Sequence, residues 1–114
     1  MAAAGMDAQR IRRFIDNVAR RNGWTVIQDE TFLGYLVEGF LLNYERYGYL
    51  QCPCRERWGE REKDPDIVCP CTYSSPDIEE YGHCYCGLFL SEEYAAKEEP
   101  PMSIPERRPE EFFP

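Results

Sequence analysis

Six cysteines arranged as three pairs hold most of the chemistry open to this chain: Cys52-Pro53-Cys54, Cys69-Pro70-Cys71 and Cys84-Tyr85-Cys86. One residue between two sulfurs sets them on neighbouring faces of a bend, and the proline in two of the pairs fixes φ and removes a backbone donor. Sulfurs held in this way suit a shared inorganic centre. Four thiolates complete an iron–sulfur cluster or a zinc site, and the two left over are the number that a dithiol/disulfide couple needs. The count therefore favours a cluster beside a redox-active pair. Three structural disulfides are the competing use of six cysteines in a small secreted protein.

The elements that must position these sulfurs are limited by length. A chain of 114 residues supports one domain with a modest core, and domains this small often lean on a metal or on crosslinks. The stretch Met1-Ala-Ala-Ala-Gly-Met6 runs straight into charged residues without the apolar core of a signal peptide. No segment approaches the ~20 apolar residues of a membrane span. A soluble, reducing, cytoplasmic setting is the expectation. The formal net charge of -8, from 21 acidic and 13 basic residues, argues against nucleic acid and membrane as partners, since phosphate neutralisation needs a basic surface. Basic residues do cluster locally. Arg10, Arg12, Arg13, Arg20 and Arg21 lie early, and Arg55, Arg57, Arg61 and Lys63 follow the first pair, so positive patches are available for an acidic protein partner. No Gly-x-Gly-x-x-Gly follows a strand, so a nucleotide donor is not expected and the electrons should come from a protein.

Periodicity supplies the scaffold. Asp7 is placed to cap a helix with Ile11, Phe14, Ile15 and Val18 on one face and Gly23 as its stop. Trp24 to Ile27 reads as a short extended connector. Asp29 or Thr31 then opens a second helix, with Leu33, Leu36, Val37, Phe40, Leu41 and Tyr44 on a broad apolar face ended by Gly48. These apolar residues are core, a wall behind the metal. The fourteen residues between Cys54 and Cys69 read as a surface excursion. Pro65 or Asp66 begins a short helix there, and Pro76 to Gly82 reads as one helical turn before the third pair. Gly87-Leu88-Phe89-Leu90 is an apolar run for burial beside the sulfurs. From Glu98 onward, prolines mixed with charges describe an extended tail, with Met102, Ile104, Phe112 and Phe113 available to pin it.

The order Cys-Pro-Cys, Cys-Pro-Cys, Cys-X-Cys, with Arg55 after the first pair, Gly87-Leu88-Phe89-Leu90 after the third and Ile104-Pro105-Glu106 in the tail, resembles the catalytic chain of ferredoxin:thioredoxin reductase over most of residues 7 to 110. The gaps between pairs differ from the plant-type enzyme, a difference that loops absorb. The resemblance implies a mainly α fold, a small single domain of short helices and loops organised around one 4Fe-4S cluster. Residues 1–6 are then a flexible N-terminus, 7–97 the cluster-binding catalytic domain, and 98–114 a proline-rich tail packed on it. It also implies that Cys52, Cys69, Cys71 and Cys84 ligate the cluster, while Cys54 and Cys86 form the active-site disulfide, Cys54 as the exposed attacking sulfur and Cys86 against the cluster. The implied activity is ferredoxin-dependent reduction of thioredoxin or a similar protein disulfide. Plant-type members add a small variable subunit and some relatives a rubredoxin-like domain. Neither lies within these residues, so a separate subunit or self-association is expected, or the chain works alone.

One position departs from the plant-type pattern. The histidine expected between the cysteines of the third pair is Tyr85 here, and the one histidine of the chain is His83. His83 handles a proton at the disulfide if the backbone turns it towards Cys86, and is structural otherwise; Tyr85 is the other donor in reach. Two further uses of the cysteines stay open, a zinc-binding interaction module and a plain iron–sulfur electron carrier.

Overall fold

The computed structural model describes residues 6–114. Helix α1 (Ala8–Asn22) begins where Asp7 accepts a hydrogen bond from the Arg10 N–H at 2.9 Å, and it ends at Gly23. Helix α2 (Glu30–Tyr47) is capped by Asp29, which accepts from both Thr31 and Phe32, and it stops at Gly48, whose φ of 85° is the left-handed conformation that favours glycine. Of the two openings expected for α2, Asp29 is the one used. Ile11, Ile15, Val18 and Ala19 of α1 pack with Leu33, Leu36, Val37 and Phe40 of α2 in one core. At 15 and 18 residues these two helices are not short; the remaining elements are.

The chain is mainly α, with one small sheet that periodicity did not disclose. Strand β1 (Thr25–Val26) pairs antiparallel with β2 (Phe89–Leu90), Thr25 opposite Leu90 and Val26 opposite Phe89. Each strand has two residues, too few to show alternation. The pairing brings the segment after the third cysteine pair onto the α1–α2 core, where Leu88, Phe89 and Leu90 are buried as expected. Helix α3 (Ser74–Tyr81) precedes that pair and starts two residues earlier than the expected single turn at Pro76. Helix α4 (Glu92–Ala96), capped by Ser91, follows β2; it was not expected.

The excursion after Cys54 is anchored inward. Asp64, fully buried, accepts from the Trp58 N–H at 3.2 Å, the Gly59 N–H at 3.0 Å, Gln51 Nε2 at 3.1 Å and Arg108 Nη2 at 3.3 Å. A 3-10 turn at Pro65–Ile67 follows it, and buried Ile67 leads into the second pair. Arg55 is buried too, so it does not belong to the surface patch expected of it.

Ionic contacts more than apolar ones hold the tail. Ile104 is buried, but Met102, Phe112 and Phe113 are 58%, 47% and 40% exposed. Glu106 binds Arg55, Arg107 binds Asp77 and Glu80, and Arg108 sits buried on Asp64 and Asp66. Of the expected flexible segment 1–6, residues 1–5 lie outside the described residues.

Candidate redox centre

Backbone hydrogen bonds bring the three pairs together. The Cys52 N–H donates to the Ile67 carbonyl at 2.8 Å and the Cys69 N–H to the Leu50 carbonyl at 2.9 Å, around an isolated bridge between Gln51 and Val68. These bonds zip the first pair to the second. The third pair sits on a tight turn, with the Gly87 N–H on the Cys84 carbonyl at 2.8 Å and the Cys84 N–H on the Phe89 carbonyl at 3.0 Å. Gly87 takes φ 75°, and a Cβ there would meet the Pro101 ring at 2.8 Å, so glycine alone lets the turn pass beneath the tail. β2 and a second bridge between His83 and Leu90 tie this turn to the core.

The sulfurs divide unequally. Cys52, Cys69, Cys71, Cys84 and Cys86 line one buried pocket whose apolar wall is Phe40, Leu88 and Phe89, residues of the helical and post-pair runs expected to form it. Cys54 is the exposed cysteine. It opens instead onto a surface cavity of about 430 Å³ with Arg55, Glu56, Tyr85, Glu106, Arg108 and Phe113. Cys86 faces both ways, since it also lines a surface pocket with Phe32, Met102 and Ile104. The Cys52 and Cys86 sulfurs lie 2.8 Å apart, and none of the six cysteines is in a disulfide.

Protonation follows this division. Hydrogen bonds from Cys52 and Cys86, helped by the Arg55 charge, hold Cys54 down to about 4. The hydrogen bond with Cys54 and burial push Cys52 up to about 11, burial, against a backbone hydrogen bond from Phe89, takes Cys84 to about 11, and burial drives Cys69 well up. Cys86 is also raised well above the ordinary thiol value, by its contacts with Cys52 and Cys54. Cys54 is thus the sulfur whose surroundings favour the thiolate.

His83 is fully buried, and its ring meets Tyr94 edge-on with centroids 5.2 Å apart. Nδ1 contacts the Cys84 carbonyl at 2.7 Å and Nε2 accepts from the Met102 N–H at 3.1 Å. A carbonyl can only accept and an N–H can only donate, so the ring is the neutral Nδ1–H tautomer with both nitrogens committed to backbone. Tyr85 lies beneath the Arg55 guanidinium at 4.6 Å and lines both cavities that reach Cys54 and Cys86. Burial, then the Glu106 charge, hold its phenol above the ordinary value.

Polar partners of the sulfurs were not legible beforehand. Cys71 receives Arg55 Nη1 at 3.0 Å and contacts Ser74 Oγ at 3.2 Å, and Cys84 accepts from the Phe89 N–H at 3.4 Å. The i, i+3 spacing of Cys71 and Ser74 at a helix start is a signal the sequence does carry. Glu106, the clamp on Arg55, lies 51 residues from it and carries none.

The donor set fits an iron–sulfur cluster. Five thiols from three separate turns share one apolar pocket, one more than a cluster needs, and a charged N–H and a backbone N–H point at two of them, the kind of hydrogen bond that tunes cluster sulfurs. Among the described residues no group of three or more His, Cys, Asp or Glu side chains is placed to hold a single metal ion. Also among them, no helix is long and apolar enough to cross a membrane.

A small, mainly α domain that gathers paired cysteines around an apolar pocket, with one cysteine at the surface, defines a thiol redox protein. Residues 3–108 match the family model of the ferredoxin thioredoxin reductase catalytic beta chain, and the chain belongs to that family. Over 88 residues it is 28% identical to the ferredoxin-thioredoxin reductase catalytic chain of Porphyra purpurea, covering 73% of this chain and 69% of that protein.

Proposed function

We propose that this chain is a ferredoxin-dependent disulfide reductase that delivers electrons to thioredoxin or a similar protein disulfide in the reducing cytoplasm. The observation that carries the reading is the separation of five cysteines lining one inner pocket from one exposed cysteine, with Cys86 open to both sides. Cys52, Cys69, Cys71 and Cys84 hold one 4Fe-4S cluster, and Cys54 and Cys86 are the working pair. When bound, the cluster supplies one-electron chemistry next to a two-electron disulfide.

In the dithiol form the Cys54 thiolate attacks a sulfur of the substrate disulfide. A Cys54–substrate bond forms and the second substrate sulfur leaves as a thiol. Cys86 then attacks Cys54, releasing the substrate as a dithiol and leaving a Cys54–Cys86 disulfide. Two electrons and two protons have passed to the substrate, and two single electrons from a ferredoxin restore the pair. His83 serves by position: its ring fastens the Cys84 carbonyl to the Met102 N–H and so holds the third pair under the tail. Tyr85, protonated and beside both working sulfurs, is the proton donor in reach. The exposed arginines of α1 offer an acidic ferredoxin a docking face, and a separate subunit has the same surface open to it.

Replacing Cys54 with serine tests the reading. The variant is expected to keep the visible absorbance of the cluster and to lose disulfide reduction entirely. Undiminished reduction by that variant would exclude Cys54 as the nucleophile, and a colourless protein holding zinc would exclude the cluster.

A further inference from the structure

We infer that Arg55 sets the redox poise of the centre held by Cys52, Cys69, Cys71 and Cys84, by giving the Cys71 sulfur a charged hydrogen bond whose field Glu106 partly cancels. The inference rests on the iron–sulfur reading above and deepens it.

Arg55 directly follows the surface nucleophile, yet its side chain is 1% exposed. Its plane is fixed from every side. Nε donates to both Glu106 oxygens at 2.8 and 3.0 Å, and the guanidinium lies over the rings of Tyr85 at 4.6 Å and Tyr73 at 5.1 Å. Nη1 donates to Cys71 Sγ at 3.0 Å. Nη2 stands 3.9 Å from Asp77 Oδ2, and neither atom has a hydrogen bond. The other oxygen of Asp77 is taken by Arg107 Nε at 2.7 Å.

The distribution of these bonds separates a tuning role from a merely structural one. Sulfur is a weak acceptor and a carboxylate a strong one. A guanidinium placed only to close an ion-pair network would spend its fork on Asp77, whose free oxygen is in view. Here one arm goes to sulfur while that oxygen goes without. A fixed cation at a metal-bound thiolate stabilises the more electron-rich, reduced state of the centre, and hydrogen bonds to cluster sulfurs are an established lever on potential. Burial strengthens the effect because little water screens it. Arginine suits the task, since it stays charged and its planar fork holds direction. Glu106 is the opposing charge closest to the cation. The two side chains therefore act with opposite sign, Arg55 raising the midpoint potential and Glu106 lowering it.

The test is redox potentiometry on the anaerobically purified full chain, followed by visible absorbance and electron paramagnetic resonance, for the unsubstituted protein, Arg55→Gln and Glu106→Gln. Arg55→Gln is expected to make reduction about tenfold less favourable, a midpoint about 59 mV lower for one electron, and Glu106→Gln is expected to move the midpoint upward. Unchanged midpoints would overturn the inference, as would shifts of both variants in the same direction, the mark of a general loosening. Should Arg55→Gln fail to accumulate, Glu106→Gln decides alone: an upward shift supports the role, and no shift or a downward one refutes it. An unsubstituted chain without an iron–sulfur signal would sink the cluster itself, whereas a brown protein with insensitive midpoints would sink the tuning role and leave the cluster standing.

Discussion

A thiol attacks only as its thiolate, so the protonation of Cys54 decides when this chain can react. Hydrogen bonds from Cys52 and Cys86 and the Arg55 charge lower that sulfur; with Cys52 ligating iron as proposed, its S–H is lost and Cys86 and Arg55 are the two that still act in this direction. The sign is direct. A lowered value keeps the thiolate populated as pH falls, so alkylation of Cys54 by iodoacetamide in the reduced protein should persist well below the ordinary thiol range and decline only at more acid pH. Labelling followed by peptide mass analysis would show this, and a rate climbing tenfold per unit up to the ordinary thiol range near ~8.5 would contradict it. The sequence displayed the six sulfurs and their spacing. Spacing alone does not say which sulfur is wet, because Cys52 and Cys54 sit in the same Cys-Pro-Cys motif and differ only in what folds over them; the family resemblance implied Cys54, and Cys52 is 6% exposed whereas Cys54 is open to solvent. His83 shows the same limit, since its partners are a neighbouring carbonyl and the backbone of Met102, which lies 19 residues away.

At the scale of elements, local rules were legible where the signal is local. Asp7, Asp29, Gly23 and Gly48 mark the ends of α1 and α2, and their side chains or φ values do what those residue types do at helix termini. The β1–β2 ribbon was invisible because two-residue strands more than sixty positions apart leave no pattern in either segment. Helix α2 also presses on the redox centre. A Cβ at Gly39 would lie 2.6 Å from Pro53 Cβ, inside the first Cys-Pro-Cys, while a Cβ at Gly34 would meet nothing within 4 Å. Alanine is ordinarily favoured over glycine inside a helix by ~0.8–1 kcal/mol. Gly34→Ala should therefore raise the melting temperature. Gly39→Ala should lower it, overpacking costing about 1–3 kcal/mol, and, with the proposed cluster bound, should disturb the visible spectrum because Pro53 separates Cys52 from Cys54. Thermal melts of the two variants side by side provide the check: equal shifts would mean that α2 does not bear on the first pair.

At the scale of the whole molecule, the tail closes the structure through charge, which the sequence disguises because a run of arginines, glutamates and prolines reads as solvated. Arg108 is the extreme case. Its side chain is 1% exposed, with Nε on Asp66 at 2.9 Å, Nη2 on Asp64 at 3.3 Å and Nη1 on the Glu56 carbonyl at 3.2 Å. One side chain thereby joins the tail to both ends of the excursion between the first two cysteine pairs. Removing it leaves Asp64 with no exposure and no cation, and stripping one partner from a buried pair costs about 3–5 kcal/mol. The exposed pair Arg12–Glu30, at 46% and 73%, is screened by water and contributes roughly 0–1 kcal/mol. Urea denaturation should then separate two arginine-to-alanine variants of equal formal charge, Arg108→Ala losing several kcal/mol and Arg12→Ala remaining near the parent. Equal midpoints for the two would mean that the tail merely rests on the domain. A large gap would identify it as a structural member, and would explain how a chain of 114 residues keeps three cysteine turns in register with so small an apolar core.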